Sequence, residues 1–149
     1  MSLPFSRPLA LCALGVLAGC GMMNPYTPLN GGPPNSKPER MAVYDIDCRD
    51  TSRASGATTV QGIGESVMNR GLPYYAACTY EGKALPWEVL GVFHAGADSE
   101  ESWESWRKGA IERARDENCP AVGLRTFPPT YGDTNYEAVG ALCLAAGGQ

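Results

Sequence analysis

Asp98-Ser-Glu-Glu-Ser-Trp-Glu-Ser-Trp-Arg-Lys-Gly-Ala-Ile-Glu-Arg-Ala-Arg-Asp-Glu-Asn-Cys-Pro-Ala-Val-Gly-Leu-Arg125 carries a change of hydrophobic period that sets the expected fold. In its first part Trp103, Trp106, Ala110, Ile111 and Ala114 recur at the 3.6-residue spacing of an amphipathic helix. Asp98 with Glu101 three residues on has the form of a capping box. Glu100, Glu101 and Glu104 crowd the first turns while Arg113 and Arg115 lie toward the last, the order that complements the helix dipole. Asn118 and Pro120 then stop the helix. The tryptophan pair has the spacing of a ligand-binding shelf, but on such a stripe it is expected in the core.

Beyond Pro120 the pattern changes to that of strands, Ala121 to Phe127 and Asn135 to Leu144, joined through Pro128-Pro-Thr-Tyr-Gly-Asp-Thr134. Placing Cys119 opposite Cys143 fixes a hairpin register. That register sets Arg125 against Glu137 and puts Val122 and Leu124 on one face with Tyr136, Ala138, Leu142 and Leu144, under the helix. Cys119, Arg125, Glu137 and Cys143 then share the other face.

Working back toward the N-terminus, short apolar runs between Gly-containing breaks predict strands at Met41 to Cys48, Thr58 to Ile63, Tyr74 to Tyr80 and Trp87 to His94. No internal repeat or low-complexity tract interrupts them. The expected fold class is α+β: a small disulfide-bonded sheet with one long amphipathic helix, and a β-α-β-β unit in the C-terminal half.

Val89-Leu-Gly-Val-Phe93, the helix, Cys119-Pro-Ala-Val-Gly-Leu124 and Tyr136-Glu-Ala-Val-Gly-Ala-Leu142 resemble the β-α-β-β unit of small envelope domains. Those domains include the Rcs-pathway stress-sensor lipoproteins and the heavy-metal-binding-like YbjQ group. The likeness covers about Pro86 to Leu144 and rests on short apolar motifs. The sensor's cysteines fall elsewhere in its hairpin and its long basic linker is missing here, so the resemblance implies architecture more than signalling.

The N-terminus carries a targeting pattern. Between Arg7 and Cys20 lie twelve uncharged residues, and the segment ends in Leu17-Ala18-Gly19-Cys20. As a helix those twelve would span about 18 Å, short of the bilayer core of about 30 Å. The ending resembles the lipobox of bacterial lipoproteins. The resemblance implies cleavage between Gly19 and Cys20, a covalent diacylglycerol on the Cys20 thiol and an N-acyl chain on its amine, with no other cofactor. Cys12 leaves with the signal, since the bulky Leu11 precedes it. Gly21, where Asp would be a retention mark in enterobacterial sorting, points to the outer membrane, facing the periplasm. The expected organisation is a signal peptide at residues 1–19, the lipidated Cys20 with a Pro/Gly-rich tether at 20–40, and a periplasm-facing domain at 41–149. Prolines 25, 28, 33, 34 and 38 mark the tether, which fully stretched would reach about 65 to 70 Å.

Removing 19 of the 149 residues leaves 130, enough for one domain. Losing Arg7 leaves 11 basic against 16 acidic residues, a balance of −5 that argues against nucleic acid as a partner. No polybasic run follows Cys20, so attachment to the membrane is expected from acyl chains alone. Cys48, Cys78, Cys119 and Cys143 form an even set suited to an oxidising compartment. Three pairings are open to them; the hairpin register favours Cys119 with Cys143, leaving Cys48 with Cys78. They lack C-x-x-C spacing, so metal ligation by thiols is not expected.

Catalytic patterns fall short. Gly64-Glu-Ser-Val-Met68 has Met where a nucleophile elbow needs a second Gly, and Gly62-Ile-Gly64 lacks the third Gly of a nucleotide fingerprint, so both are expected as loop glycines. His94, the single histidine, is expected at the surface or in a loop. Strand alternation places Asp45 and Asp47 on one face, with Asp50 nearby, and Tyr44, Ile46 and Cys48 on the other. The acidic face is expected to be solvated. These features favour a non-enzymatic envelope lipoprotein that binds or senses a protein or an envelope component. The alternatives are a small-ligand or metal-binding lipoprotein, in which Asp45, Asp47 and His94 converge, and an envelope-polymer hydrolase, for which no catalytic residues stand out.

Overall fold

A computed structural model describes residues 26–64, 70–95, 100–126 and 138–147. In chain order its elements are β1 (Tyr26–Pro28), β2 (Ala42–Arg49), β3 (Thr58–Ile63), β4 (Pro73–Tyr80), β5 (Lys83–Ala84), β6 (Val89–Ala95), α1 (Glu100–Asp116), β7 (Ala121–Arg125) and β8 (Ala138–Leu144). The strands form one sheet in the order β1-β6-β8-β7-β2-β4-β3, with β5 on β4.

This arrangement overturns the expected α+β layout. The described residues are mostly β, and their sheet rolls into a nearly closed, barrel-like form with α1 on its outside. The pivot is β2. Ala42 to Ile46 pair in parallel with β7, whereas Asp47 to Arg49 pair antiparallel with β4, so one strand belongs to both halves of the roll.

Rolling creates two cores from one sheet. Inside lie Ile46, Cys48, Val60, Ala76, Cys78, Val92, Val139, Leu142 and Leu144. Outside, α1 seats Trp103, Trp106, Ala110 and Ala114 against Phe93, Val122, Leu124, Ala141 and Cys143. Strands β7 and β8 are therefore buried on both faces, which explains their almost continuous apolar sequence. Trp103 and Trp106 stack with centroids 5.2 Å apart and belong to this core.

Both expected cysteine pairs are present, Cys48 with Cys78 and Cys119 with Cys143. The hairpin register that suggested the second is nevertheless wrong. Val122 faces Cys143 and Leu124 faces Ala141, a slip of three residues from the expected alignment. An odd slip exchanges faces, so Cys143 lies under the helix while Leu142 and Leu144 point into the barrel.

The physical reason is the helix end. Asn118 takes a left-handed conformation (φ 59°), its N–H bonds to the Arg115 carbonyl, and the Cys119 N–H bonds to the Ala114 carbonyl at 3.0 Å. This is a Schellman cap, and it holds Cys119 in the connection before β7 and not in the ladder. The cap expected at Asp98 and the partner expected at Glu137 lie outside the described residues.

The stretch expected as a tether is partly sheet. β1 lies within it and pairs with β6, Tyr26 opposite Phe93 and Pro28 opposite Gly91. The Leu29 N–H bonds to the Leu90 carbonyl at 2.8 Å, and the Tyr26 ring packs on Phe93 at 4.7 Å. Residues before Met41 thus contribute a strand to the sheet.

Candidate functional site

The two ends of the barrel differ in chemistry. At one end Tyr44, Tyr80 and Trp87 pack on each other, with Tyr44 and Trp87 centroids 4.3 Å apart. At the other, where β6 and β7 finish and β4 and β8 begin, the interior is polar.

His94 is at the centre of that polar end. A bulge between Phe93 and His94 sets it beside Val139 of β8, and it is buried, not exposed as expected for a lone histidine at a strand end. Its Nδ1 is hydrogen-bonded to the Tyr74 hydroxyl of β4, and its Nε2 to the Thr27 hydroxyl of β1 at 2.6 Å. Tyr74 also donates to the Ala138 carbonyl of β8 at 3.5 Å. In a neutral imidazole all three bonds are satisfied when Nδ1–H donates to the Tyr74 oxygen and Nε2 accepts from Thr27. The cluster thus fastens β1, β4, β6 and β8 across the seam where the roll closes.

Gly62 makes room for it. This residue is in strand β3 directly opposite Tyr74, not in a loop, and a Cβ there would overlap the Tyr74 ring. Glycine lets the ring lie across its neighbour's backbone and carry the hydroxyl inward.

Beside this cluster lies an ion pair between a buried arginine and a partly exposed aspartate. Arg125, fully buried, makes a bidentate contact with Asp50 (Nη1 to Oδ1 at 2.8 Å, Nη2 to Oδ2 at 2.9 Å) and donates to the Val139 carbonyl at 3.0 Å. Asp50 follows the last residue of β2, so the pair ties β2, β7 and β8. Asp50 is thus a partner of Arg125 that the hairpin register did not suggest; the expected one, Glu137, lies outside the described residues.

The expected acidic cluster is accordingly divided. Asp45 and Asp47 do sit on the outward face of β2, with Tyr44, Ile46 and Cys48 turned inward. Asp45 pairs with Arg107 of α1 at 2.9 Å, Asp47 with Arg49 at 3.3 Å, and Asp50 with Arg125. Asp45, Asp47 and His94 are not brought together. Among the described residues no group of three potential metal ligands is present. Ser66 and Met68, like Gly19 and Cys20, lie outside the described residues. Gly64 continues the β3–β4 ladder, donating to the Leu72 carbonyl at 2.7 Å.

Tyr26, at the entry of the chain into this end, has its phenol pushed up to about 12, first by burial and then by the charge of Glu117. Its hydroxyl donates to the Leu90 carbonyl at 3.4 Å.

No family model, curated protein or solved structure matches the chain. The likeness of residues 86–144 to envelope domains therefore rests on its short motifs alone. Sequence reasoning missed Tyr74, Thr27 and the Asp50–Arg125 pair as partners. The one signal for them was Gly62 in a strand pattern, which marks a close approach, here of Tyr74; nothing local links residue 27 to 94 or 50 to 125.

Proposed function

We propose that this chain is an envelope lipoprotein, anchored through acyl chains on Cys20, whose disulfide-bonded barrel binds or senses a protein or envelope component without catalysing a reaction. The observation that carries the reading is Leu17-Ala18-Gly19-Cys20 at the close of a twelve-residue uncharged run. The two disulfides support it, because such bonds persist in oxidising compartments such as the periplasm. The polar cluster supports the non-enzymatic part. His94 has both ring nitrogens engaged by hydroxyls of other strands, and the Arg125 guanidinium is held by Asp50 and a backbone carbonyl. Groups committed in this way fix the barrel's closure. Gly21 after Cys20 favours the outer membrane, and a protein of the envelope is the favoured partner.

Labelled palmitate fed to cells expressing the full chain tests the anchor. The parent is expected to incorporate it and to fractionate with membranes, while Cys20→Ala takes up none and retains both disulfides. Label entering Cys20→Ala overturns the assignment.

A further inference from the structure

β1 does more than contribute a strand to the sheet. Because β1 runs antiparallel to β6, with Tyr26 opposite Phe93, the chain enters the sheet at the end of the barrel that holds His94 and not at the aromatic end. Between Cys20 and Tyr26 lie five residues, a span of at most about 20 Å when extended. An anchor at Cys20 would therefore hold this end, and no other, close to the bilayer.

This end also carries most of the large apolar side chains that the described structure leaves exposed. Ile63 (41% exposed) and Tyr75 (42%) lie on the outer face of the β3–β4 hairpin, diagonal to each other across the ladder, and Leu72 (57%) sits at the rim beside Pro73. Arg70, exposed, precedes them. Aliphatic tips with a tyrosine and an arginine suit the boundary between headgroups and acyl chains, where the phenol keeps its hydroxyl wet and the guanidinium reaches phosphate. Val43, also exposed (46%), lies on β2 opposite Val122, toward the aromatic end and a strand's length away.

We infer that the β3–β4 rim formed by Ile63, Leu72 and Tyr75 rests on the phospholipid surface, so that the anchored barrel stands with its polar end toward the membrane and its Tyr44–Tyr80–Trp87 end toward the periplasm. The inference rests on the proposed anchor at Cys20. The short leash supplies proximity and the apolar rim supplies orientation. The mature balance of −5 gives no general electrostatic attraction to an anionic bilayer, so contact depends on the rim.

The test uses the full chain, matured in cells, purified with its acyl chains and reconstituted into vesicles of phosphatidylethanolamine and phosphatidylglycerol, with and without brominated acyl chains. Leu72→Trp and, independently, Tyr75→Trp report on the rim, and Val43→Trp on the far end, each read as emission beyond that of the parent. Non-reducing mass spectrometry first verifies both disulfides and the acyl mass. The expected result is a blue shift and a loss of the added emission with brominated lipid at positions 72 and 75, and neither at 43. Acylated protein in which the rim tryptophans are unquenched, or in which position 43 is quenched as strongly, overturns the orientation and leaves the anchor standing. Protein lacking acyl mass at Cys20 overturns both.

Discussion

Arg125 illustrates how a single buried charge ties distant parts of this chain together. Its guanidinium lies wholly inside the protein and is compensated by Asp50, seventy-five positions away. Removing the carboxylate from such a contact leaves a desolvated guanidinium with less charge compensation. Asp50→Ala is therefore expected to lower stability by about 3 kcal/mol, measured by urea denaturation. Asp45→Ala, which breaks an exposed pair with Arg107, is expected to cost less than about 1 kcal/mol in the same assay. Tyr26 gives a prediction in pH. Its folded phenol titrates at about 12 against an ordinary 10.0, so between those values the unfolded chain loses a proton that the folded chain keeps. The folded state then binds more protons than the unfolded one, and stability falls as pH rises through that window. Below pH 10 the contribution is fully present. Comparing denaturation midpoints of the parent and Tyr26→Phe across the window checks this: the parent is expected to lose more stability than the variant, and parallel curves would contradict it.

At the scale of elements, α1 and its cap show how local chemistry directs a tertiary bond. The stripe Trp103, Trp106, Ala110 and Ala114 is legible from spacing alone, and it is the face buried against the sheet. The cap at Asn118 sets the course of the chain beyond the helix, because its left-handed turn brings Cys119 back over Ala114 and within reach of Cys143. Asn118→Ala puts a Cβ without a compensating amide into that conformation and is expected to cost about 1 kcal/mol. Asn118→Gly is expected to fall within a few tenths of a kcal/mol of the parent, the relief of backbone strain offsetting the lost contact with the Asn35 carbonyl. Thermal melting of the two variants separates them. The strand positions were also legible: β3 has the bounds that its alternation predicts, and β2 shows the inward and outward alternation expected of Tyr44 to Cys48. The β7–β8 register was not, because the cysteine used to set it lies outside the ladder.

For the whole molecule, bonds across the seam close the sheet, and two disulfides add covalent ties between parts that are already neighbours. Cys48 and Cys78 lie opposite each other on β2 and β4, while Cys119 and Cys143 pin the helix end to β8. Their sequence separations are 30 and 24 residues. On the chain-entropy model each restricts the unfolded chain enough to contribute about 3 to 4 kcal/mol. The double variant Cys119→Ala/Cys143→Ala is expected to lose stability of that order in urea denaturation; a loss below about 1 kcal/mol would show that the Schellman cap and the helix face hold this corner by themselves. By itself the sequence determined the places of most strands and of the helix and the even set of cysteines, and it carries the Leu17-Ala18-Gly19-Cys20 motif on which the proposed anchor rests, because periodicity, capping residues and short motifs are written within a few neighbouring positions. Only the tertiary structure decided that the sheet rolls up, that β1 is drawn from the expected tether into it, and that His94 meets Tyr74 and Thr27 at one end. Those outcomes depend on which faces are covered on both sides and on contacts between residues twenty to seventy-five positions apart, and no local pattern specifies either.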